Sequence, residues 1–115
     1  MILVCDDEPS LRELVRAVLG PTYSFVEADD GPRALALARE LHPDLIVLDL
    51  MLPGMSGIEV LDVIRGDSDL APIPVIVVTA WSHAEVSARV AGADRFVPKP
   101  FDPQELEAAV EELLA

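Results

Sequence analysis

Residues 45–54 read Leu-Ile-Val-Leu-Asp-Leu-Met-Leu-Pro-Gly, and this stretch decides the fold. The run 45–48 is wholly apolar and rich in branched side chains, without the alternation of a half-exposed strand. Such a run suits a parallel strand covered on both faces. It ends at Asp49, where a bare carboxylate beside buried apolar chain is costly unless it has partners. Pro53-Gly54 then supplies turn chemistry, and Met55 reads as a packing residue. The stretch therefore predicts a central strand whose carboxyl end opens on a polar site.

Working outward, residues 2–5 (ILVC) and 75–78 (VIVV) are runs of the same kind. Residues 23–27 (YSFVE) alternate, and 95–98 (RFVP) is weaker; Pro98 cannot donate to a ladder on both sides, so both segments read as edge strands. Helical stretches fill the gaps. Leu11, Leu14, Val15 and Val18 follow helical spacing, and Gly20-Pro21 ends that helix. A second helix is expected over roughly 32–41, with Asp30 near its start. Ser56 with Glu59, Ser82 with Glu85, and Asp102 with Glu105 match the capping-box spacing. Pro103 falls at a tolerated first helical position, and Leu106, Val110 and Leu113 supply the inner face of the last helix. Five right-handed βα units give an α/β, doubly wound parallel sheet with helices on both faces, in the order 2-1-3-4-5. With no internal repeat beyond the βα unit and no linker, residues 1–115 are expected to form one domain, with no effector domain in this chain.

Composition narrows the function. The formal charge of −13 argues against direct nucleic-acid binding, which relies on clustered Lys and Arg. No segment approaches the ~20 apolar residues of a membrane span, and the start lacks a basic, apolar leader. Cys5 is the single cysteine and lies in an apolar run, so it reads as a buried small hydrophobe. These features point to a cytoplasmic protein. His42 and His83 have no partners at metal-ligand spacing; His42 before Pro43 reads as a helix-end residue.

In such sheets ligands bind beyond the carboxyl ends of the strands. Strand one runs into Asp6-Asp7, strand three into Asp49, strand four into Thr79 and strand five into Lys99. Two carboxylates about 4 Å apart repel by roughly 4 kcal/mol at an effective dielectric near 20. Three in one pocket call for cations. Lys99, the only lysine in a chain that otherwise uses arginine, supplies one. A hard divalent ion held through oxygens supplies the rest; Mg²⁺ is expected, with Mn²⁺ or Ca²⁺ able to substitute. Each group has an ordinary alternative: Asp6 and Asp7 as helix-start acids, Asp49 as a solvated loop acid, Thr79 as a common strand residue. Their joint placement is what carries the argument.

Taken in order, VCDDEP, LIVLDLMLPGMSGIEVL, IPVIVVTA and AGADRFVPKPF resemble the receiver domain of two-component response regulators over essentially the whole chain. The resemblance implies a flavodoxin-like (βα)₅ sandwich. It implies that Asp49 accepts a phosphoryl group from a phosphohistidine donor, on a histidine kinase or histidine phosphotransfer protein, without being a turnover enzyme. Asp7 and Asp49 would bind Mg²⁺ directly, Asp6 through water, and the Met51 carbonyl would complete the site. Lys99 would pair with Asp49 or its phosphoryl oxygens. Thr79 and the aromatic Phe96 would act as the switch, and the Lys99–Pro100 peptide would be cis. A homodimer or downstream effector would use the face of helix 4, strand 5 and helix 5. Two details depart from the family or vary within it. Phe96 stands where tyrosine is frequent, and the span from Thr79 to Lys99 is about two residues short, so a short or shifted fourth helix is expected. Met51 and Trp81 flank the water route to the acyl phosphate in the family pattern, so these bulky side chains are expected to slow dephosphorylation.

Three other functions compete. A haloacid-dehalogenase-like hydrolase also uses an aspartyl nucleophile, but after strand one with a second acid two residues on; here the strand-one acids are adjacent. A flavodoxin-like electron carrier needs a Ser/Thr/Gly-rich phosphate loop where this chain has CDDEPS. A phosphoryl shuttle in a phosphorelay would use the same site and differ only in role.

Overall fold

The computed structural model describes residues 1–81 and 83–115, with only the backbone described at Val90. The central strands form where the sequence is unbroken apolar chain. Strand β1 (Ile2–Cys5), β3 (Leu45–Leu48) and β4 (Val75–Thr79) are buried along their whole length. β2 (Phe25–Ala28) and β5 (Arg95–Pro98) lie at the edges and are only partly buried. The sheet is parallel, in the order β2-β1-β3-β4-β5. The edge strand β2 begins two residues later than the alternation of 23–27 suggests, and Tyr23 packs against the core from outside the strand.

Alternation of side chains across each strand divides the core into two layers. Leu3, Cys5, Ile46, Leu48, Val75 and Val77 face α2 (Gly31–Leu41), α3 (Gly57–Gly66) and α4 (Glu85–Ala91). Ile2, Val4, Leu45, Val47, Ile76 and Val78 face α1 (Pro9–Leu19) and α5 (Pro103–Leu114). Burying each such Val, Leu or Ile contributes about 1.5–3 kcal/mol. A one-residue slip of any strand would exchange its two faces, which fixes the register.

The helix starts follow local chemistry. Asp30 and Ser56 accept hydrogen bonds from Arg33 and Glu59 N–H, and Pro9, Pro32 and Pro103 occupy first-turn positions. Asp102 also caps its helix, but through Gln104 N–H, one residue before Glu105. The Ser82–Glu85 capping expectation falls on Ser82, outside the described residues. α4 has seven residues, in keeping with the short span from Thr79 to Lys99. Its end is fixed by Arg65, which donates to the carbonyls of Gly92 (2.9 Å), Ala71 (2.8 Å) and Ile73 (2.7 Å) and pairs with Asp94 (2.7 Å). Gly92 has φ +107°, and a Cβ there would meet the Arg65 stem at 2.8 Å. Glycine therefore serves both the turn and the close approach.

Candidate functional site

The paired registers bring distant residues together at the carboxyl rim. Cys5 stands opposite Leu48, so Asp6 and Asp49 follow side by side, and Asp49 N–H donates to the Cys5 carbonyl at 2.9 Å. Thr79 pairs with Pro98, and Lys99 N–H donates to the Thr79 carbonyl at 2.8 Å. That bond carries the lysine past the end of β5. Its Nζ then reaches back across the rim to Asp6 Oδ2 and Asp49 Oδ2, both at 2.8 Å. The three side chains are 10%, 7% and 5% exposed, so this is a buried bridge.

The remaining carboxylate oxygens are also satisfied. Asp6 Oδ1 accepts from Glu8 N–H at 3.0 Å, and Asp49 Oδ1 from Met51 N–H at 3.1 Å. Burial pushes the Asp6 carboxyl above the usual carboxylate range, against the opposing pull of the Lys99 and Glu8 hydrogen bonds. For Lys99, burial works downward, but the hydrogen bonds to Asp49 and Asp6 and their charges outweigh it and hold the ammonium above its ordinary value. The neighbouring Cys5 thiol is pushed up by burial, and Asp6 adds to the shift, so it is inert packing.

The turn after Asp49 is held in place by α3. Gly57 N–H donates to the Leu50 carbonyl at 2.8 Å, and a Cβ at Gly57 would collide with the Asp49 carbonyl and the Leu50 backbone. Only glycine lets the helix start this close to the strand end. Thr79 is fully buried, and its Oγ1 accepts from Trp81 N–H at 3.3 Å. Phe96 is partly buried and packs against the core beneath. Met51 and Trp81 stand 61% and 50% exposed, and with Leu50 and Ala80 they line one shallow apolar pocket beside the rim.

The candidate metal ligands divide into two sets. Asp6, Asp7 and Glu8 offer carboxylate oxygens within 4.8 Å of one another, with Asp7 and Glu8 exposed. Asp49 is not in that group; it joins Asp6 through Lys99. All these donors are oxygens, the set that a hard divalent cation prefers, and three acids against one ammonium leave negative charge to be balanced. The residues therefore fit such an ion. Glu8 was not singled out by the sequence reading, although the run Asp6-Asp7-Glu8 was its visible signal. The Lys99–Pro100 peptide is cis.

A parallel doubly wound sheet with a lysine bridging two strand-end acids defines a class of α/β protein whose chemistry lies on the carboxyl rim. The chain belongs to the response regulator receiver domain family, whose model matches residues 2–111. It is 47% identical over 112 residues to the DNA-binding response regulator MtrA of Mycolicibacterium smegmatis, covering 95% of this chain and 48% of that protein. It is 41% identical to the DNA-binding dual master transcriptional regulator RpaA of Synechocystis, covering 98% of this chain and 48% of that protein. The chain thus spans about half the length of these curated relatives. Among solved structures, the receiver domain of NtrX from Brucella abortus superposes with a TM-score of 0.89 at 34% identity, covering 99% of this chain and 98% of that one. The chemotaxis response regulator CheY4 of Vibrio cholerae superposes with a TM-score of 0.89 at 29% identity, covering 98% and 97%. Among the described residues, no helix is long and apolar enough to cross a membrane.

Proposed function

We propose that Asp49 is the phosphoacceptor of this receiver domain and that the Asp6–Lys99–Asp49 bridge is its resting state. The observation that supports this most is the single lysine held at 2.8 Å from both acids, within a buried rim. An Asp49 carboxylate oxygen attacks the phosphorus of a phosphohistidine on a histidine kinase or phosphotransfer protein. The P–N bond breaks as the P–O bond forms, and the imidazole leaves with the electron pair. Asp49 becomes an acyl phosphate.

Asp6, Asp7, Asp49 and the Met51 carbonyl would hold a Mg²⁺ ion, with Glu8 beside them. When bound, the ion neutralises charge on the transferring oxygens. Lys99 is already oriented toward Asp49 and moves its ammonium onto a phosphoryl oxygen. Phosphorylation adds about −1.5 to −2 charges and strong acceptor oxygens. The buried Thr79 hydroxyl, which now accepts from Trp81 N–H, turns to donate to one of them, and Phe96 moves inward behind it. Charge-assisted hydrogen bonds contribute roughly 1.5–3 kcal/mol each. Moving a 1:99 equilibrium to 99:1 takes about 5.5 kcal/mol, so Thr79 and Lys99 must act together.

On this reading residues 1–115 form a single cytoplasmic receiver domain that alters its own phosphorylation state and turns over no separate substrate. The −13 charge supports the absence of direct nucleic-acid contact by this segment; DNA binding belongs to the full length of the named relatives. The same site would serve a phosphorelay shuttle. Incubation with acetyl phosphate, with and without Mg²⁺, followed by intact mass, tests the reading. One added phosphoryl group is expected, dependent on Mg²⁺ and lost in Asp49→Asn. Addition that persists in that variant would assign the acceptor elsewhere.

A further inference from the structure

Every polar atom of Asp6 has a partner, and one of those partners lies outside the acidic rim. Its N–H continues the sheet to the Ala28 carbonyl at 3.1 Å. Its two carboxylate oxygens take Glu8 N–H and Lys99. Its main-chain carbonyl, in the turn that leads away from β1, accepts from Arg12 Nη1 at 2.7 Å. Arg12 lies on α1 with its side chain 16% exposed, and its Nε donates to Glu27 Oε1 on β2 at 3.0 Å. Glu27 is itself steadied by Arg16, at 3.2 Å through its other oxygen. The backbone N–H of Arg12 donates to the Glu8 carbonyl at 3.2 Å. One residue therefore closes both ends of the segment Asp6–Glu8, with its guanidinium at the front and its main chain at the back.

We propose that Arg12, anchored by Glu27, is a positioning residue that fixes the β1–α1 turn and so sets the affinity of the acidic rim for a divalent cation. The proposal rests on the reading of that rim as a cation site. Arg12 touches none of the carboxylates of the rim; it acts through the peptide of Asp6. Its fork matters because two nitrogens of one planar group, Nε and Nη1, take a carboxylate and a backbone oxygen in fixed relative directions, where an ammonium offers a single nitrogen.

Charge and positioning predict opposite signs here. If Arg12 acted only through its charge, removing it would lift a repulsion and tighten cation binding, and Arg12→Lys would leave binding unchanged. If it positions the turn, both Arg12→Gln and Arg12→Lys weaken binding. Loss of a group that orients a metal ligand commonly costs 10–100-fold in affinity. Mn²⁺ and Mg²⁺ titrations by calorimetry are expected to give a Kd raised about 10-fold in Arg12→Gln, at the low end of that range, and by a smaller factor in Arg12→Lys. A second measurement needs no metal. In EDTA, amide exchange of Glu8, whose N–H bonds Asp6 Oδ1, is expected to quicken in Arg12→Lys while that of Asp49 holds. Unchanged or tighter cation binding in both variants would overturn the proposal, and so would unchanged Glu8 exchange in Arg12→Lys. If the parent protein bound no divalent cation, the reading of the rim would fall, and the Glu8 arm would still decide the role of Arg12 in holding the turn.

Discussion

The sharpest consequence of the Asp6–Lys99–Asp49 bridge concerns stability without metal. Replacing Lys99 with methionine keeps most of the stem but leaves two neighbouring carboxylates, 7% and 5% exposed, without their shared cation. Breaking a buried pair by removing one partner typically costs about 3–5 kcal/mol. Here each acid keeps one backbone donor, Glu8 N–H or Met51 N–H, so the low end applies and ~3 kcal/mol of destabilisation is expected. At about 4 °C per kcal/mol for a domain of this size, Tm should fall by roughly 12 °C. The assay is thermal and urea unfolding in EDTA at neutral pH. Adding Asn at position 49 to the same variant removes one of the two stranded charges and should restore part of the loss, giving a coupling energy of about 1–2 kcal/mol in the double-mutant cycle. The sign of the pH dependence follows from the raised Lys99 pKa. Its contribution is whole below the unfolded value of 10.5 and is lost as pH rises through the higher folded value, so on the alkaline side the parent's advantage over Lys99→Met should persist until strong alkali. A variant as stable as the parent within about 0.5 kcal/mol, the scatter of an ordinary surface change, would refute the view that the bridge holds the rim together.

Asp6 gives the opposite pH signature to an ordinary paired carboxylate. Because its folded pKa is raised above 3.8, the folded state holds a proton that the unfolded chain has released, and stability falls as pH rises through that window. Metal-free Asp6→Asn should therefore lose the stabilisation that the parent gains as pH falls toward the unfolded value of 3.8, read from urea midpoints; parallel profiles would contradict this. His42 ends α2 at φ 46°, a left-handed conformation that glycine adopts without a Cβ penalty, so His42→Gly should stabilise by about 0.5–1 kcal/mol in urea unfolding, and a lower midpoint would count against it. Trp81→Ala opens the apolar pocket shared with Met51 beside Asp49 and should shorten the life of the phosphorylated form several-fold; an unchanged half-life by mass spectrometry would remove the shielding role of the indole.

What could be read in the sequence tracks how strongly burial constrains each residue. The runs 2–5 and 45–48 match β1 and β3 residue for residue, because a strand covered on both faces tolerates no polar intrusion and its ends are marked where charge begins. The site was legible for the same reason. Asp6, Asp49 and Thr79 stand where buried strands end, Lys99 follows the partly buried edge strand β5, and a parallel sheet puts all such ends on one edge. The edge strand β2 is less sharp, since its residues Phe25, Val26 and Glu27 are only partly buried and their alternation runs on into Tyr23, which lies outside the strand. The contacts of Arg12 and Arg65 could not be read at all. Whether a long guanidinium reaches a carbonyl depends on how its helix is rotated over the sheet and on turns such as Gly92–Asp94, and periodicity in one helix does not record its neighbour's backbone. The rim is thus built at two levels. Strand ends, visible in the chain as breaks in apolar runs, bring the charged groups together. The guanidinium of Arg12, whose contacts are invisible there, holds the turn that carries Asp6, while Arg65 braces the opposite end of the sheet, where β4 and β5 begin.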